Sequence, residues 1–574
     1  MRLINGLKFQ NLRGDFFGGL TAAIVALPLA LAFGVSSGAG AITGLYGAIF
    51  VGLFAALFGG TPSQISGPTG PMTVVMASVF TAMVATNPEN GPAMAFTVVM
   101  LGGLFQILFG VLRLGKYITL MPYTVISGFM SGIGAIIIIL QIGPLLGKEG
   151  AGSVIKSLSS LPEFLTNVNV PALGLGILTL VIVFLWPRKL NSYIPSPLLA
   201  LIVCTLISVY LFPHSELTRI GEIPTGLPEL HIPVFKLNKV KDILIYGLML
   251  ATLGSIDSLL TSLVADNITR TQHDSDRELI GQGIGNLIAG LFGGLPGAGA
   301  TMRTVVNVNA GGKTPLSGII HGVILLIIVL GAGNLTAQIP NAVLAGILIK
   351  VGIDIIDWSF LKRAHRLSMK AAALMYAVLF LTVFWDLIIA VAVGVFVANL
   401  LTVKSLSDLQ MDKVKAITDP SDETQLSHEE KQLLKSAGGR ILLFRLGGPM
   451  SFGAAKAISQ QMTIVQNFDI LILDLSDVPL LGVTASLAIE NMVKEACEKR
   501  REVFLVGASG KIKARLRRLQ ILNLLPPHNR ITNRLKALEQ AITLINDKVV
   551  KGNAMEPLSH GEIVDDTSVE TNRD

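Results

Sequence analysis

From Phe16 to Val403 apolar runs alternate with short polar stretches, lying near 16–38, 41–59, 70–86, 92–112, 120–146, 172–186, 195–212, 243–265, 278–294, 300–310, 315–333, 338–353, 370–385 and 387–403. A spanning helix needs about 20 mostly apolar residues to cross roughly 30 Å of hydrocarbon. Runs this long and this many exceed what a soluble core buries, so the pattern predicts an α-helical polytopic membrane protein with fourteen spans over residues 16–404. An even number of spans puts both termini on one side. With that side cytoplasmic, the inside loops hold Arg113 and Lys116, Arg188 and Lys189, Arg270 and Arg277, Lys313, and then Lys362, Arg363, Arg366 and Lys370. That is the positive-inside distribution. The exceptions outside are Lys148, Lys156 and the 213–242 connection with Arg219, Lys236, Lys239 and Lys241.

Two segments interrupt the apolar pattern in matching ways. "SGPTGPMTVV" (Ser66 to Val75) aligns with "GAGATMRTVV" (Gly297 to Val306), and "GLTAAIVALPLAL" from Gly19 aligns with "GLMLATLGSIDSLL" from Gly247. The chain reads as two seven-span copies, and an odd number of spans per copy makes the repeat inverted. Gly and Pro break the helix in each interrupted segment, and non-helical backbone at membrane depth is tolerated only where it lines a cavity. Two half-helices are predicted to start near Thr69 and Thr301. Their first N–H groups and dipoles, facing each other, make an anion site.

Composition supports this reading and adds little to it. Of 574 residues 51% are hydrophobic and only 14% charged, where soluble domains carry about 25%. Residues 1–15 lack the apolar core and small-residue cleavage site of a signal peptide. The net charge of +7 is spread over short loops and the C-terminal region, which fits topology better than nucleic-acid binding. Cys204 and Cys497 imply no disulfide framework.

Asp257 is the one carboxylate placed near the middle of an apolar run, with Thr261 one turn on and Ser258 and Ser262 beside it. A carboxylate, hydroxyls and unwound carbonyls form an oxygen set for a small hard cation, or a proton acceptor. Arg303 either attracts the anion or pairs with the protein at the cytoplasmic edge. "NAGGKT" (Asn309 to Thr314) ends like a phosphate loop, but Asn307 stands where its first glycine belongs. The histidines lack metal-ligand spacing, His321 reads as a bonded core residue, and no serine, histidine and carboxylate set suggests hydrolysis. The chain is not read as an enzyme.

Beyond a charged linker over 405–438, "ILLFRL" (Ile441 to Leu446), "ILILDL" (Ile470 to Leu475) and "EVFLVG" (Glu502 to Gly507) read as buried strands alternating with helices, a small α/β domain over 439–550. Residues 551–574 read as a disordered tail.

"RTVVNVNAGGKTPLSGII" (Arg303 to Ile320) and "GGLTAAIVALPLALAFG" (Gly18 to Gly34) closely resemble signatures of the SulP family of anion transporters, solute carrier family 26. "DLSDVPLLGVTAS" (Asp474 to Ser486) resembles the STAS domain that ends those chains, and the likeness spans roughly residues 10 to 550. It implies seven plus seven inverted spans, a core subdomain moving against a gate subdomain, and homodimers formed through a cytoplasmic STAS domain. The likeness is greatest to cyanobacterial sodium-dependent bicarbonate importers. That implies Na⁺/HCO₃⁻ symport across the plasma membrane by an elevator-like movement, with no cofactor beyond the coupling ion. By motif, Thr69, Gly70, Ala300 and Thr301, with Arg303 beside them, match the bicarbonate site; Asp257, Thr261, Gly299 and Thr301 match the surroundings of sodium. Proton-coupled members tend to carry Glu where this chain has Asp257, which favours sodium. Proton-coupled uptake of sulfate or a dicarboxylate, an anion channel, and a STAS-linked sensor are the alternatives. Gly482 stands where an Asp is usual in the anti-sigma antagonist pattern, and Thr484 occupies its phosphorylatable Ser position.

Overall fold

The structure, a computed structural model, describes residues 9–553 except 119–120, 151–152, 188–189, 191–193, 213–216, 222–227, 237–238, 386, 420–425 and 466. Residues 1–8, the loop cations Arg188 and Lys189, and tail residues 554–574 lie outside the described residues. The chain forms two compact units, 1–398 and 399–574.

In the first unit each apolar run is a helix: α1 (Leu12–Ser36), α2 (Ala41–Phe58), α3 (Gly70–Thr86), α4 (Gly91–Val111), α5 (Tyr123–Leu145), α6 (Val170–Leu185), α7 (Ser196–Leu211), α8 (Val240–Thr269), α9 (Ser275–Leu291), α10 (Thr301–Asn309), α11 (Pro315–Thr336), α12 (Asn341–Ile355), α13 (Met369–Phe384) and α14 (Leu387–Met411). Among the described residues six helices are long and apolar enough to cross a membrane, and shorter apolar ones lie between them. The packing repeats when each helix is exchanged for its counterpart seven places away in the other half. α1 packs on α11 as α8 packs on α4, α2 on α11 as α9 on α4, and α6 on α12 as α13 on α5. Small residues permit such close approaches: a Cβ on Gly283 of α9 would lie 2.5 Å from the Gly103 carbonyl of α4.

The interrupted segments form two short strands, β1 (Ser66–Gly67) and β2 (Ala298–Gly299), paired antiparallel with Ser66 opposite Gly299 and Gly67 opposite Ala298. Their main-chain groups thus satisfy one another where a helix cannot. The half-helices begin where expected but differ in length, 17 residues for α3 and 9 for α10.

Three expectations need correction. α1 starts at Leu12, ahead of the apolar run expected from Phe16, so Asp15 is a buried helical residue. Its carboxylate accepts from the backbone N–H groups of Lys313 and Thr314 (2.8 and 3.0 Å) and from Thr314 Oγ1 (2.7 Å). The phosphate-loop lookalike therefore cradles a carboxylate of its own chain. His321 is wholly buried with neither ring nitrogen hydrogen-bonded, because it is packed against Gly52 in the contact of α2 with α11. The stretch expected as linker carries β3 (Val414–Ile417) and α15 (His428–Ser436), since Val414 and Ile417 each have a core to enter.

The second unit is one sheet in the order β3-β4-β5-β6-β7, with β4 (Ile441–Gly447), β5 (Ile470–Asp477), β6 (Glu502–Val506) and β7 (Arg530–Ile531). β3 is antiparallel to β4 and the remaining pairs are parallel. Alternate residues point to opposite faces. Leu442, Phe444, Leu471 and Leu473 face α16 (Phe452–Ile464), α17 (Val483–Glu498) and α18 (Gly510–Arg518), while Ile441, Leu443, Ile470 and Ile472 face α15 and α19 (Arg534–Asn553). Gly482 caps α17 and Thr484 is exposed in its first turn.

Candidate ion-binding site

β1 leads through Pro68 and Thr69 into α3, and β2 leads through Ala300 into α10, so one antiparallel pair fixes both helix starts. The Ala300 N–H extends the pairing to the Ile65 carbonyl (2.8 Å). The first helical N–H groups of α10, those of Thr301, Met302 and Arg303, precede the first intrahelical bond, from Thr304 N to the Ala300 carbonyl. In α3 the corresponding bond runs from Thr73 N to Thr69 O, and Pro71 removes one donor from that turn. Both helix N-termini thus project main-chain donors and a partial positive charge from the strand pair. Thr69 is buried with its Oγ1 unpartnered. A Cβ on Gly70 would lie 2.7 Å from Ile355 Cδ1 and 2.9 Å from Ile137 Cδ1, the movable side-chain ends of α12 and α5 that close over the start of α3.

α8 brings the cation candidates to the same place. Asp257 lies beside Thr69 and Arg303, with its Oδ2 shielded from solvent and not hydrogen-bonded. It borders a cavity whose walls include Pro71 of α3, Phe129 and Met130 of α5, and Val391 of α14. One turn along, Thr261 Oγ1 donates to the Gly299 carbonyl (2.9 Å) and lies 2.8 Å from Thr301 Oγ1. Ser258 Oγ accepts from the Gly299 N–H (3.0 Å). Asp257, Thr261, Gly299 and Thr301 therefore converge beside Thr69, Gly70 and Ala300. An aspartate oxygen, two threonine hydroxyls and one carbonyl suit a hard cation, and the amides next to them suit an anion.

Arg303 is not at an edge. It is 3% exposed, and its guanidinium donates to the Pro68 carbonyl, holding the β1 exit against α10. Its bonded partner is the protein, while its charge remains beside Asp257.

The sequence reading missed the other half of this construction, a polar stripe on α9. Glu278, Gln282 and Asn286 are spaced i, i+4, i+8 and are all buried. Glu278 receives Gly60 N, Thr61 N and Gln64 Nε2; Gln282 Nε2 donates to Ser66 Oγ (2.6 Å); Asn286 makes two bonds to Gly297 (2.7 and 2.9 Å). The signal was present in "ELIGQGIGN", three polar residues on one face among glycines. The structure also assembles a serine, histidine and carboxylate set: Asp266 Oδ2 lies 2.6 Å from His273 Nδ1, and Ser275 Oγ lies 2.9 Å from His273 Nε2. It is built from the turn between α8 and α9, which sequence spacing gave no reason to connect. Among the described residues no group of three or more His, Cys, Asp and Glu could hold a metal ion.

The family model described as the sulfate permease family matches residues 12–378, and that of the STAS domain matches 435–536. The bicarbonate transporter BicA of Picosynechococcus sp. is 54% identical over 558 residues, 96% of this chain and 98% of that protein. Its namesake in Synechocystis sp. is 55% identical over 94% of this chain and 96% of its own length. The solved transmembrane domain of a cyanobacterium bicarbonate transporter BicA matches 68% of this chain and all of its own at 57% identity, TM-score 0.65. SLC26A9, at 18% identity, shares the fold over 95% of this chain and 92% of its own, TM-score 0.80. With the helical unit, the STAS-type sheet and these matches together, the chain belongs to the sulfate permease family, the SulP or SLC26 group of transporters.

Proposed function

We propose that this protein carries bicarbonate into the cell together with sodium, as a multi-pass plasma-membrane symporter. The observation that carries the reading is the convergence of Asp257 and the Thr261–Gly299–Thr301 oxygens on the two helix N-termini built by β1 and β2. Identity above half to two proteins named as bicarbonate transporters supports bicarbonate as the anion. Bicarbonate accepts from the N–H groups at Gly70 and Thr301, with Ala300 lining the site through its side chain because its own N–H is held by Ile65, and sodium sits among Asp257, Thr261, Gly299 and Thr301. Without sodium the Asp257 carboxylate repels the anion. At 4 Å and an effective dielectric near 20 that repulsion is about 4 kcal/mol, enough to make binding of the two ions cooperative. Sodium neutralises the carboxylate, and the strand pair moves both ions as one body past α5 and α12 in an elevator-like step. Both termini are cytoplasmic, and the STAS domain joins two copies into a homodimer. The test is uptake of labelled bicarbonate by proteoliposomes with and without an inward sodium gradient. We expect uptake to follow sodium. Uptake indifferent to sodium and driven by external acid, with sulfate or a dicarboxylate competing, overturns the reading, as do single-channel currents or binding without flux.

A further inference from the structure

Glu278 is a buried carboxylate that the transport scheme above does not use. Its Oε2 accepts from the backbone N–H groups of Gly60 and Thr61 (both 2.9 Å), and its Oε1 from Gln64 Nε2 (2.7 Å) and Gln282 Nε2 (2.8 Å). All four partners are N–H donors, so this arrangement calls for an ionised carboxylate with its acceptor directions filled. Among the described residues no basic side chain stands within ion-pair distance of it. A buried charge held only by donors is a costly way to fasten a loop, and an apolar contact would do that job more cheaply. What the charge adds is direction.

The direction leads to the ions. Gln64 gives its amide N–H to Glu278, and its Oε1 lies 3.0 Å from Ser262 Oγ. Ser262 is bonded in turn to Thr61 Oγ1 (2.7 Å) and to the Ser258 carbonyl (2.9 Å). The amide of Gln64 also occupies the space where a Gly299 side chain would be, so it presses on the one residue that Ser258 and Thr261 hold from the other side. We infer that Glu278 is a positioning residue for the ion site. Its carboxylate orients Gln64, which sets the Gly299 carbonyl and Thr261 at the spacing a cation requires. The inference rests on the sodium-coupled reading above.

Full-length protein with Glu278→Gln places an amide N–H against N–H donors, and Gln64→Leu removes only the relay. Sodium binding is read as the sodium-dependent rise in melting temperature and, in proteoliposomes, as the half-saturating sodium concentration. We expect both variants to need at least tenfold more sodium. The exchange Gln64→Glu with Glu278→Gln restores an amide-to-carboxylate bond between the two positions and should recover most of the sodium affinity. A purely structural Glu278 lowers melting temperature and leaves the half-saturating sodium concentration unchanged, which overturns the inference; failure of the exchange to recover affinity overturns it as well. If Glu278→Gln does not fold, Gln64→Leu decides alone, and unchanged sodium affinity there is fatal. Wild-type protein that sodium does not stabilise overturns the sodium reading itself, a result distinct from a wild type that responds and variants that respond equally.

Discussion

Asp257→Asn keeps the side chain's shape and removes its charge, so we expect sodium-driven uptake to fall to background while membrane insertion and yield persist. Ordinary sodium dependence in that variant would place the cation elsewhere. Thr301→Ala takes away the hydroxyl 2.8 Å from Thr261 Oγ1, a loss of about 1 kcal/mol, which should raise the half-saturating sodium concentration several-fold with turnover little changed. At Gly299 the structure leaves no room for a side chain, since a Cβ would run into the Gln64 amide. Gly299→Val should therefore displace Gln64 and lower melting temperature and sodium affinity together. A folded variant with normal affinity would refute the coupling of these two residues.

At the scale of elements, helix periodicity and Gly/Pro punctuation carried most of the information, because each apolar run had to be a helix and each Gly/Pro break could not be one. The starts of α3 and α10 at Gly70 and Thr301 follow from that rule alone. What stayed hidden were partnerships across long sequence separations. The residues of α9 that hold β1 and β2 looked like polar interruptions of an apolar run, since nothing local says that Glu278 meets Gly60 or that Asn286 meets Gly297. β3 was hidden for a different reason: four residues among charges give too short a pattern to read until the sheet supplies its other half. The close approach of α4 and α9 is testable at this scale. Gly283→Leu must push the helices apart, and we expect a loss of several kcal/mol in stability and of flux, measured by yield and melting temperature, because overpacking at a backbone contact has nowhere to relax.

For the molecule as a whole, the two units give separate expectations. In the second, Arg534 joins Glu430 (2.8 Å) and Asp474 (3.0 Å). Burial alone would raise the Glu430 carboxyl, but hydrogen bonds from Arg534 and the Ser427 N–H outweigh it and hold the group below its usual value. A carboxyl lowered on folding adds stability above its unfolded value, and that stability disappears as pH falls through the folded one. The isolated second unit should thus weaken in acid below about pH 4. Arg534→Met should cost about 3 kcal/mol at neutral pH and flatten the acid limb, as followed by circular dichroism. Truncation after residue 405 should leave folded, mainly monomeric membrane protein, and an undiminished dimer in mild detergent would refute the STAS domain's part in pairing. In the first unit, the pairing of β1 with β2 has a consequence for synthesis. The ribosome delivers Ser66 and Gly67 to the membrane long before Ala298 and Gly299 exist, so in the interval the backbone of β1 lacks its partner in a medium that satisfies no main-chain group. The nascent first half must wait in a half-built state, open to water or held by an insertion factor, until translation reaches the second. The ion site therefore matures only once the second half has entered the membrane, and two separately expressed halves of the chain should regain it only when made together.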